Sequence, residues 1–316
     1  MQTKEDAVMS YAQRILSQVR QVVVGKEEVL LWTLAAILAG GHILLEDIPG
    51  VGKTTMALSF SRVLDLRYSR VQFTPDVLPS DVTGYSVPDG SGNMTYQPGA
   101  VITNLFLADE LNRATSRTQS ALLEAMEEGQ VTVDGVTHKL PQPFLVIATQ
   151  NPTGAAGTQL LPDSQMDRFM VRLSLGYPSI RDEAAMVRRR QGVDPLAELV
   201  PLLNRRDLVS LQTQVAGTYL GDSVIDYIVS LIHATRNHPD LLRGASPRGT
   251  LAMTAMSKAV AQLRGRDYVL PKDVGEVFLH TITHRVLLSP GAEAQGKNAS
   301  QVLTGILETV PAPRLR

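Results

Sequence analysis

The sequence predicts an α/β fold: a three-layer αβα arrangement about a mostly parallel sheet, followed by a smaller all-helical domain. Three observations carry this expectation. Short apolar runs alternate with helical patterns through residues 42–175, as strands joined by crossover helices do. The first of these runs ends in a glycine-rich turn that opens directly onto a helical pattern. From Pro178 onward the β signals fade, and helical runs punctuated by Gly and Pro take over. The expected division is therefore 1–178 for the α/β core and 179–316 for the helical domain.

Residues 5–21 set Val8, Tyr11, Ile15 and Val19 near one face, as an amphipathic helix does. Val22-Val23-Val24-Gly25-Lys26 breaks that pattern. A second helix is expected from Glu27 to Ala39, closed by Gly40-Gly41. Strands are expected at 42–46, 68–73, 104–109, 144–149 and 169–175, with helices at 54–64 and 115–127 between them. Two segments interrupt the alternation. Residues 85–100 place Tyr85-Ser86-Val87 and Met94-Thr95-Tyr96 around a Pro-Asp-Gly-Ser-Gly-Asn tip, and residues 130–140 alternate around Asp134-Gly135. Both read as β-hairpins, the second with a two-residue turn. The sheet closes without them, so they are either decoration or moving loops that touch a partner. Beyond Pro178, helical runs are expected at 181–191, 207–214, 222–236, 247–263 and 271–287, and Ser246-Pro247 supplies an N-cap and first-turn pair.

The stretch richest in chemistry is Glu46-Asp47-Ile48-Pro49-Gly50-Val51-Gly52-Lys53-Thr54-Thr55. Glycines let consecutive N–H groups curl around phosphate oxygens, and a helix N-terminus adds positive potential. In such a loop Lys53 reaches the outer phosphates of a nucleoside triphosphate and the Thr54 hydroxyl holds Mg²⁺. Asp47 stands where the usual pattern has its first glycine. Asp tolerates unusual backbone angles, but it is expected to bring a carboxylate near a phosphate site. A second apolar run, Asn104–Ala108, ends in Asp109 and Glu110. At the C-terminal edge of an open α/β sheet that pair suits ATP hydrolysis, with Asp109 in the metal shell and Glu110 polarising the attacking water. Without the phosphate loop it would read as a solvated acidic turn.

A third run, from Phe144, ends in Asn151-Pro152. Asn151 has the chemistry to orient the attacking water or to touch the terminal phosphate; Asn-Pro also simply opens turns. Arg168 precedes the last expected strand. A guanidinium stabilises charge on a transferring phosphoryl group, and the alternative is a surface salt bridge with Asp163 or Asp167. Arg248 lies in the N-terminal half of a helix, where the dipole disfavours a cation, which favours a contact with phosphate. His280 and His284 are spaced i, i+4, but no Glu follows His280 and no third ligand is evident, so they read as a packed helix face.

Charges nearly cancel, 30 basic against 31 acidic, which argues against a dedicated nucleic-acid binder. Arg188-Arg189-Arg190 and Arg205-Arg206 read as solvated helix faces. The absence of cysteine excludes disulfides, thiol catalysis and Cys-ligated zinc, and suits a reducing cytoplasm. Met1 to Ser10 is polar with both charge signs, unlike a secretory signal. With no run of 18 apolar residues, no membrane span is expected.

Taken in order, Gly41 to Thr54, Leu107 to Ala114, Gln119 to Glu128, Ala148 to Pro152, Leu161 to Phe169 and Gly244 to Arg248 resemble the MoxR family of AAA+ ATPases over nearly the whole chain. The resemblance implies an AAA+ module with a helical lid, and ATP and Mg²⁺ as its ligands. It implies a Walker A loop through Pro49, Gly50, Val51, Gly52, Lys53, Thr54 and Thr55, and a Walker B pair in Asp109 and Glu110. Asn151 matches sensor 1 and Arg248 matches sensor 2. Arg168 matches the arginine finger, which acts on ATP held by a neighbouring subunit, so a homo-oligomeric ring, a hexamer, is implied. Val23, Val24 and Gly25 resemble the segment lining the adenine pocket. The 85–100 hairpin resembles a helix-2 insert and the 130–140 hairpin a pre-sensor-1 hairpin, both facing a pore or a partner.

Members of this family are expected to be chaperone-like remodellers, often beside a von Willebrand factor A domain protein and a client complex. The implied function is Mg-dependent ATP hydrolysis driving remodelling, assembly or maturation of partner complexes, with Arg248 closing the lid on bound ATP. Two other readings stay open. One is a nucleic-acid motor, against which the balanced charge stands. The other is an ATP-dependent assembly scaffold with slow turnover, against which Glu110 and Arg168 stand.

Overall fold

The computed structural model describes residues 5–90, 92–151, 161–189, 192 and 194–314. The chain begins with α1 (Glu5–Val22) and α2 (Glu27–Leu38), then enters the sheet at β1 (Ile43–Glu46). There follow α3 (Lys53–Val63), β2 (Tyr68–Gln72), a short α4 (Pro79–Thr83) and the hairpin β3 (Gly84–Pro88) with β4 (Met94–Pro98). Next come β5 (Leu105–Asp109), α5 (Ser116–Glu128), the hairpin β6 (Gln130–Val133) with β7 (Val136–Lys139), β8 (Leu145–Gln150), α6 (Asp163–Met166) and β9 (Val171–Leu173).

All five expected strands form, and they pair in the order β2-β5-β8-β1-β9, parallel throughout. Alternation along each strand feeds two cores. Ile43, Leu45, Leu105, Leu107, Leu145 and Ile147 face one of them, under Val19, Phe60, Met253 and Phe278. Leu44, Phe106, Ala108, Val146 and Ala148 face the other, with Phe73, Leu122, Leu123 and Phe169. Burial on both faces is why these strands read as unbroken apolar runs.

Both hairpins form. The second turns on Asp134 (φ 49°) and Gly135 (φ 78°), the paired left-handed conformations of a type I′ turn. In the tip of the first, residue 91 lies outside the described residues.

The second part of the chain comprises α7 (Ile180–Arg189), α8 (Arg205–Ala216), α9 (Asp222–Arg236), β10 (Leu241–Arg243), α10 (Pro247–Leu263), α11 (Pro271–Ile282), β11 (Leu287–Leu288), α12 (Pro290–Ala294) and α13 (Ala299–Thr309). It is therefore not wholly helical, because β10 and β11 pair as an antiparallel ribbon. The helix expected over 271–287 stops at Ile282 and passes through a 3-10 turn, Thr283–Arg285. The cause is Arg285. Its buried guanidinium donates to Asp167 Oδ1 at 2.9 Å and to the carbonyls of Asp167, Phe169 and Met170 at 3.1, 2.7 and 3.1 Å. A buried cation must have its donors met, and the chain bends to meet them.

The apolar core on the first face runs without a break from α1–α3 into α8–α11. The C-terminal helices thus pack on α1 and α2. Of the two basic clusters, Arg205 and Arg206 are exposed as expected. Arg189 is exposed too and donates to the carbonyls of Arg20 and Gln21 at 2.9 Å each, and Arg190 lies outside the described residues. Among the described residues no helix is long and apolar enough to cross a membrane.

Candidate nucleotide-binding site

The C-terminal ends of β1, β5 and β8 converge on one cleft of about 340 Å³, lined by Pro49, Gly50, Gly52, Lys53, Thr54, Thr55, Arg70, Gln72, Asp109, Glu110 and Asn151. Gly50 (φ 84°) and Gly52 (φ 100°) take left-handed backbone angles that residues with a Cβ rarely adopt. No atom lies within 4 Å of where their Cβ atoms would sit, so the loop is open to a ligand on that side. Lys53 opens α3 and folds back over the loop. Its Nζ donates to the carbonyls of Asp47 (2.6 Å) and Ile48 (3.3 Å) and to Asn151 Oδ1 (3.2 Å). Burial pulls its pKa below the ordinary lysine value, opposed by the negative charges of Asp47, Asp109 and Glu110.

The parallel register sets Ala108 beside Ala148, which brings the next residues of both strands together. Thr149 Oγ1 donates to Asp109 Oδ1 at 2.7 Å and accepts the Glu110 N–H at 2.8 Å. Asp109 Oδ2 accepts from Arg70 Nη2 at 2.7 Å and Nε at 3.2 Å. Glu110 has a left-handed backbone (φ 56°). Its Oε1 accepts from Asn151 Nδ2 at 3.1 Å and its Oε2 from Arg113 Nη1 at 2.8 Å. Asn151 therefore links the cation of the loop to the carboxylate of the strand. Sequence reasoning missed Arg70, Arg113 and Thr149: the first and last reach Asp109 through the register of β2 and β8 on β5, while Arg113 reaches back three residues to Glu110 across a 3-10 turn. The donor set suits a Mg²⁺ nucleotide. Hydroxyl and carboxylate oxygens with few protein ligands are what Mg²⁺ takes beside phosphates, and Thr54 and Asp109 offer them in one cleft.

Asp47 departs from expectation. Its carboxylate does not face the cleft but turns away, accepting from Ser174 Oγ (2.8 Å), the Gly176 N–H (3.0 Å) and the Leu175 N–H. It bonds the phosphate loop to the segment that leaves β9. That segment leads into a second hollow of about 510 Å³, adjoining the loop at Gly50, Val51 and Gly52. Val23 and Val24 line it together with Tyr177, Pro178, Met186 and Leu196, the last four not anticipated from sequence. Gly25 is not part of the lining. A Cβ there would meet the Asp182 carboxylate at 2.3 Å, so this glycine permits α7 to approach.

Arg168 and Arg248 lie elsewhere. β9 runs parallel to β1 with Val171 beside Ile43, and the Met170 N–H donates to the His42 carbonyl at 2.8 Å. Residue 168 therefore sits at the N-terminal edge of the sheet, opposite the edge from which Lys53 departs. Arg168 Nε pairs with Glu127 Oε2 at 3.2 Å, and Arg248 Nη2 pairs with the other oxygen of the same carboxylate. Neither Asp163 nor Asp167 is Arg168's partner, because they take Arg243 (2.6 Å) and Arg285 (2.9 Å). Ser246 caps α10 by accepting the Arg248 N–H at 3.1 Å and donates to Asp167 at 2.7 Å, fixing that end of the helix. The two arginines are thus brought together, and neither lines the chain's own phosphate cleft. Closure of Arg248 onto ATP in the same chain, as expected from sequence, does not follow from this arrangement. His280 stacks near Trp32 (4.7 Å between ring centroids) and His284 contacts the Phe169 carbonyl at 2.9 Å, so the two rings do not converge.

Residues 42–171 match the family described as "ATPase family associated with various cellular activities (AAA)", and residues 233–306 match the AAA lid domain. The chain is 43% identical to the YeaC protein of Bacillus subtilis, across 95% of this chain and 94% of that one. It is 38% identical to Chaperone MoxR1 of Mycobacterium tuberculosis, across 96% and 82% of the two chains. A crystal structure of a protein from Cytophaga hutchinsonii superposes with a TM-score of 0.91 at 36% identity, covering 98% of this chain and 97% of that one. An MCM homologue of Methanopyrus kandleri, at 20% identity and a TM-score of 0.59, shares the fold alone. On these similarities, carried by a phosphate loop, a carboxylate pair and a helical lid, the chain belongs to the MoxR family of AAA+ ATPases.

Proposed function

We propose that the protein is a Mg²⁺-dependent ATPase that completes its active site with a second copy of itself and uses turnover to remodel, assemble or mature partner protein complexes. The observation that carries this reading is the division of parts between the two edges of the sheet. Lys53, Asp109, Glu110 and Asn151 share the C-terminal edge, while Arg168 and Arg248 share the opposite one. Arginines set apart from the cleft of their own chain are suited to meet a phosphate held by a neighbour. A head-to-tail contact that repeats this pairing closes into a ring, and a hexamer is our reading of its size.

Within one cleft, the loop N–H groups and Lys53 bind the phosphates, and Asn151 and Glu110 orient and polarise water. Mg²⁺, held by Thr54 and Asp109, would neutralise charge between the outer phosphates. Val23, Val24 and Tyr177 would hold the base. Residues 1–178 would form the ATPase core and 179–316 the lid. The hairpins leave Tyr85, Met94 and Val136 more than half exposed, a surface suited to a protein partner. A von Willebrand factor A domain protein with its client is our candidate, in the cytoplasm. The similarity to a protein named as a chaperone supports that direction.

The test is ATPase rate per subunit against protein concentration, wild type beside Arg168→Ala and Glu110→Gln. The rate should climb with concentration and fall by roughly 10³-fold in Arg168→Ala, while Glu110→Gln should retain bound ATP without turnover. A rate independent of both concentration and Arg168 would overturn the shared-site reading.

A further inference from the structure

We infer that Arg70 is a phosphate-contacting residue that rests on Asp109 when no nucleotide is bound and turns onto the terminal phosphate of ATP when one is. The inference rests on the ATPase reading above and deepens it. Arg70 and Gln72 lie two apart on β2 and so share a face of the strand. Register puts Gln72 beside Asp109, which aims the Arg70 side chain along the strand and into the cleft it lines with Lys53 and Glu110.

Two features separate this residue from an ordinary structural ion pair. Asp109 already gives Oδ1 to Thr149, so Arg70 covers the remaining oxygen of the carboxylate assigned to the metal shell. A cation there competes with Mg²⁺ unless another anion draws it away. The incoming triphosphate brings that anion into the same cleft, and a planar guanidinium matches phosphate oxygens better than it matches one carboxylate oxygen shared by two donors. The Arg70 side chain is also 44% exposed, and its further hydrogen bond, from Nη2 to Gln72 Oε1 at 2.9 Å, is to an exposed side chain of the same strand. Lys53 shows the same pattern. Its three partners are carbonyl and amide oxygens standing where phosphate oxygens would compete. The terminal phosphate distinguishes ATP from ADP, so Arg70 would give the cleft its preference between them.

The experiment measures dissociation constants of the full chain for Mg·ADP and for a Mg-bound non-hydrolysable ATP analogue, in wild type, Arg70→Ala and Arg70→Lys, with Lys53→Ala as reference. Arg70→Ala should weaken the analogue about tenfold or more while changing ADP by less than about twofold. Arg70→Lys should fall between, and unchanged ADP affinity certifies folding. Equal losses for both nucleotides would reduce Arg70 to a prop for Asp109, and no loss for either would make it a spectator; both overturn the inference while leaving the ATPase reading standing. A wild type that binds neither nucleotide would overturn the ATPase reading, and this inference with it.

Discussion

At Asp47, one carboxylate gathers two backbone N–H groups and a hydroxyl from residues 174–176, while the same residue's carbonyl accepts Lys53 Nζ at 2.6 Å. The residue therefore holds the phosphate loop to the segment that lines the second hollow at Tyr177 and Pro178. Removing the carboxylate strands the buried Leu175 N–H, at about 1–3 kcal/mol. Asp47→Ala should therefore lower the melting temperature and weaken ADP and ATP analogues alike, unlike Arg70→Ala, which separates them. Asp47→Gly, which restores the usual loop glycine, should also weaken both. Tighter binding in Asp47→Gly, measured by titration calorimetry, would show that the carboxylate burdens the site instead of building it.

Between elements, His42 staples the end of α5 to the start of β8. Its Nδ1 accepts the Val146 N–H at 3.1 Å, its Nε2 meets the Met126 carbonyl at 3.2 Å, and Phe144 packs edge-on. Desolvation pushes its pKa from 6.5 down to about 4, against the smaller opposing pull of the Met126 carbonyl. As pH falls the unfolded chain takes up this proton first. The stabilisation is full above 6.5, shrinks between 6.5 and about 4, and by pH 4 has lost at most about 3 kcal/mol. Urea melts should show His42→Gln with a shallower loss of stability across that window, and parallel curves for the two proteins would refute the role.

The hairpins are joined in the same manner. The Tyr96 and His138 rings stack at 3.7 Å and 12°, and Tyr96 Oη donates to the Thr83 carbonyl at 2.6 Å, so two insertions far apart in sequence form one unit. This junction was not legible, whereas the hairpins themselves were. Asp134-Gly135 announces its turn locally, and the central strands announce burial on both faces. The β10/β11 ribbon pairs three residues with two across more than forty positions, leaving no local pattern to read. The N-terminal signal of α13 was present in Asn298 and Gln301, which cap each other's backbone at 3.0 and 2.9 Å.

For the whole molecule the governing fact is that a parallel sheet has two edges with different duties. The residues that could grip ATP were legible from motifs because each follows its own strand end. The common carboxylate of Arg168 and Arg248 was not, because Glu127 lies at the end of α5, far from both in sequence. That sharing changes what Arg248 is expected to do, and mixed assemblies decide it. Arg248→Ala and Glu110→Gln subunits should each turn over poorly alone. If Arg248 serves a neighbour, an Arg248→Ala subunit keeps a sound cleft and receives the arginine of an adjacent Glu110→Gln subunit. A 1:1 mixture then recovers about a quarter of the wild-type rate per subunit, the fraction of randomly assembled sites with both parts sound in a head-to-tail ring. If Arg248 instead closed over ATP in its own chain, every site in the mixture would lack one part and no activity would return. Arg168→Ala mixed with Glu110→Gln supplies the comparison: recovery there without recovery for Arg248 would assign the first arginine to the neighbour and the second to its own chain.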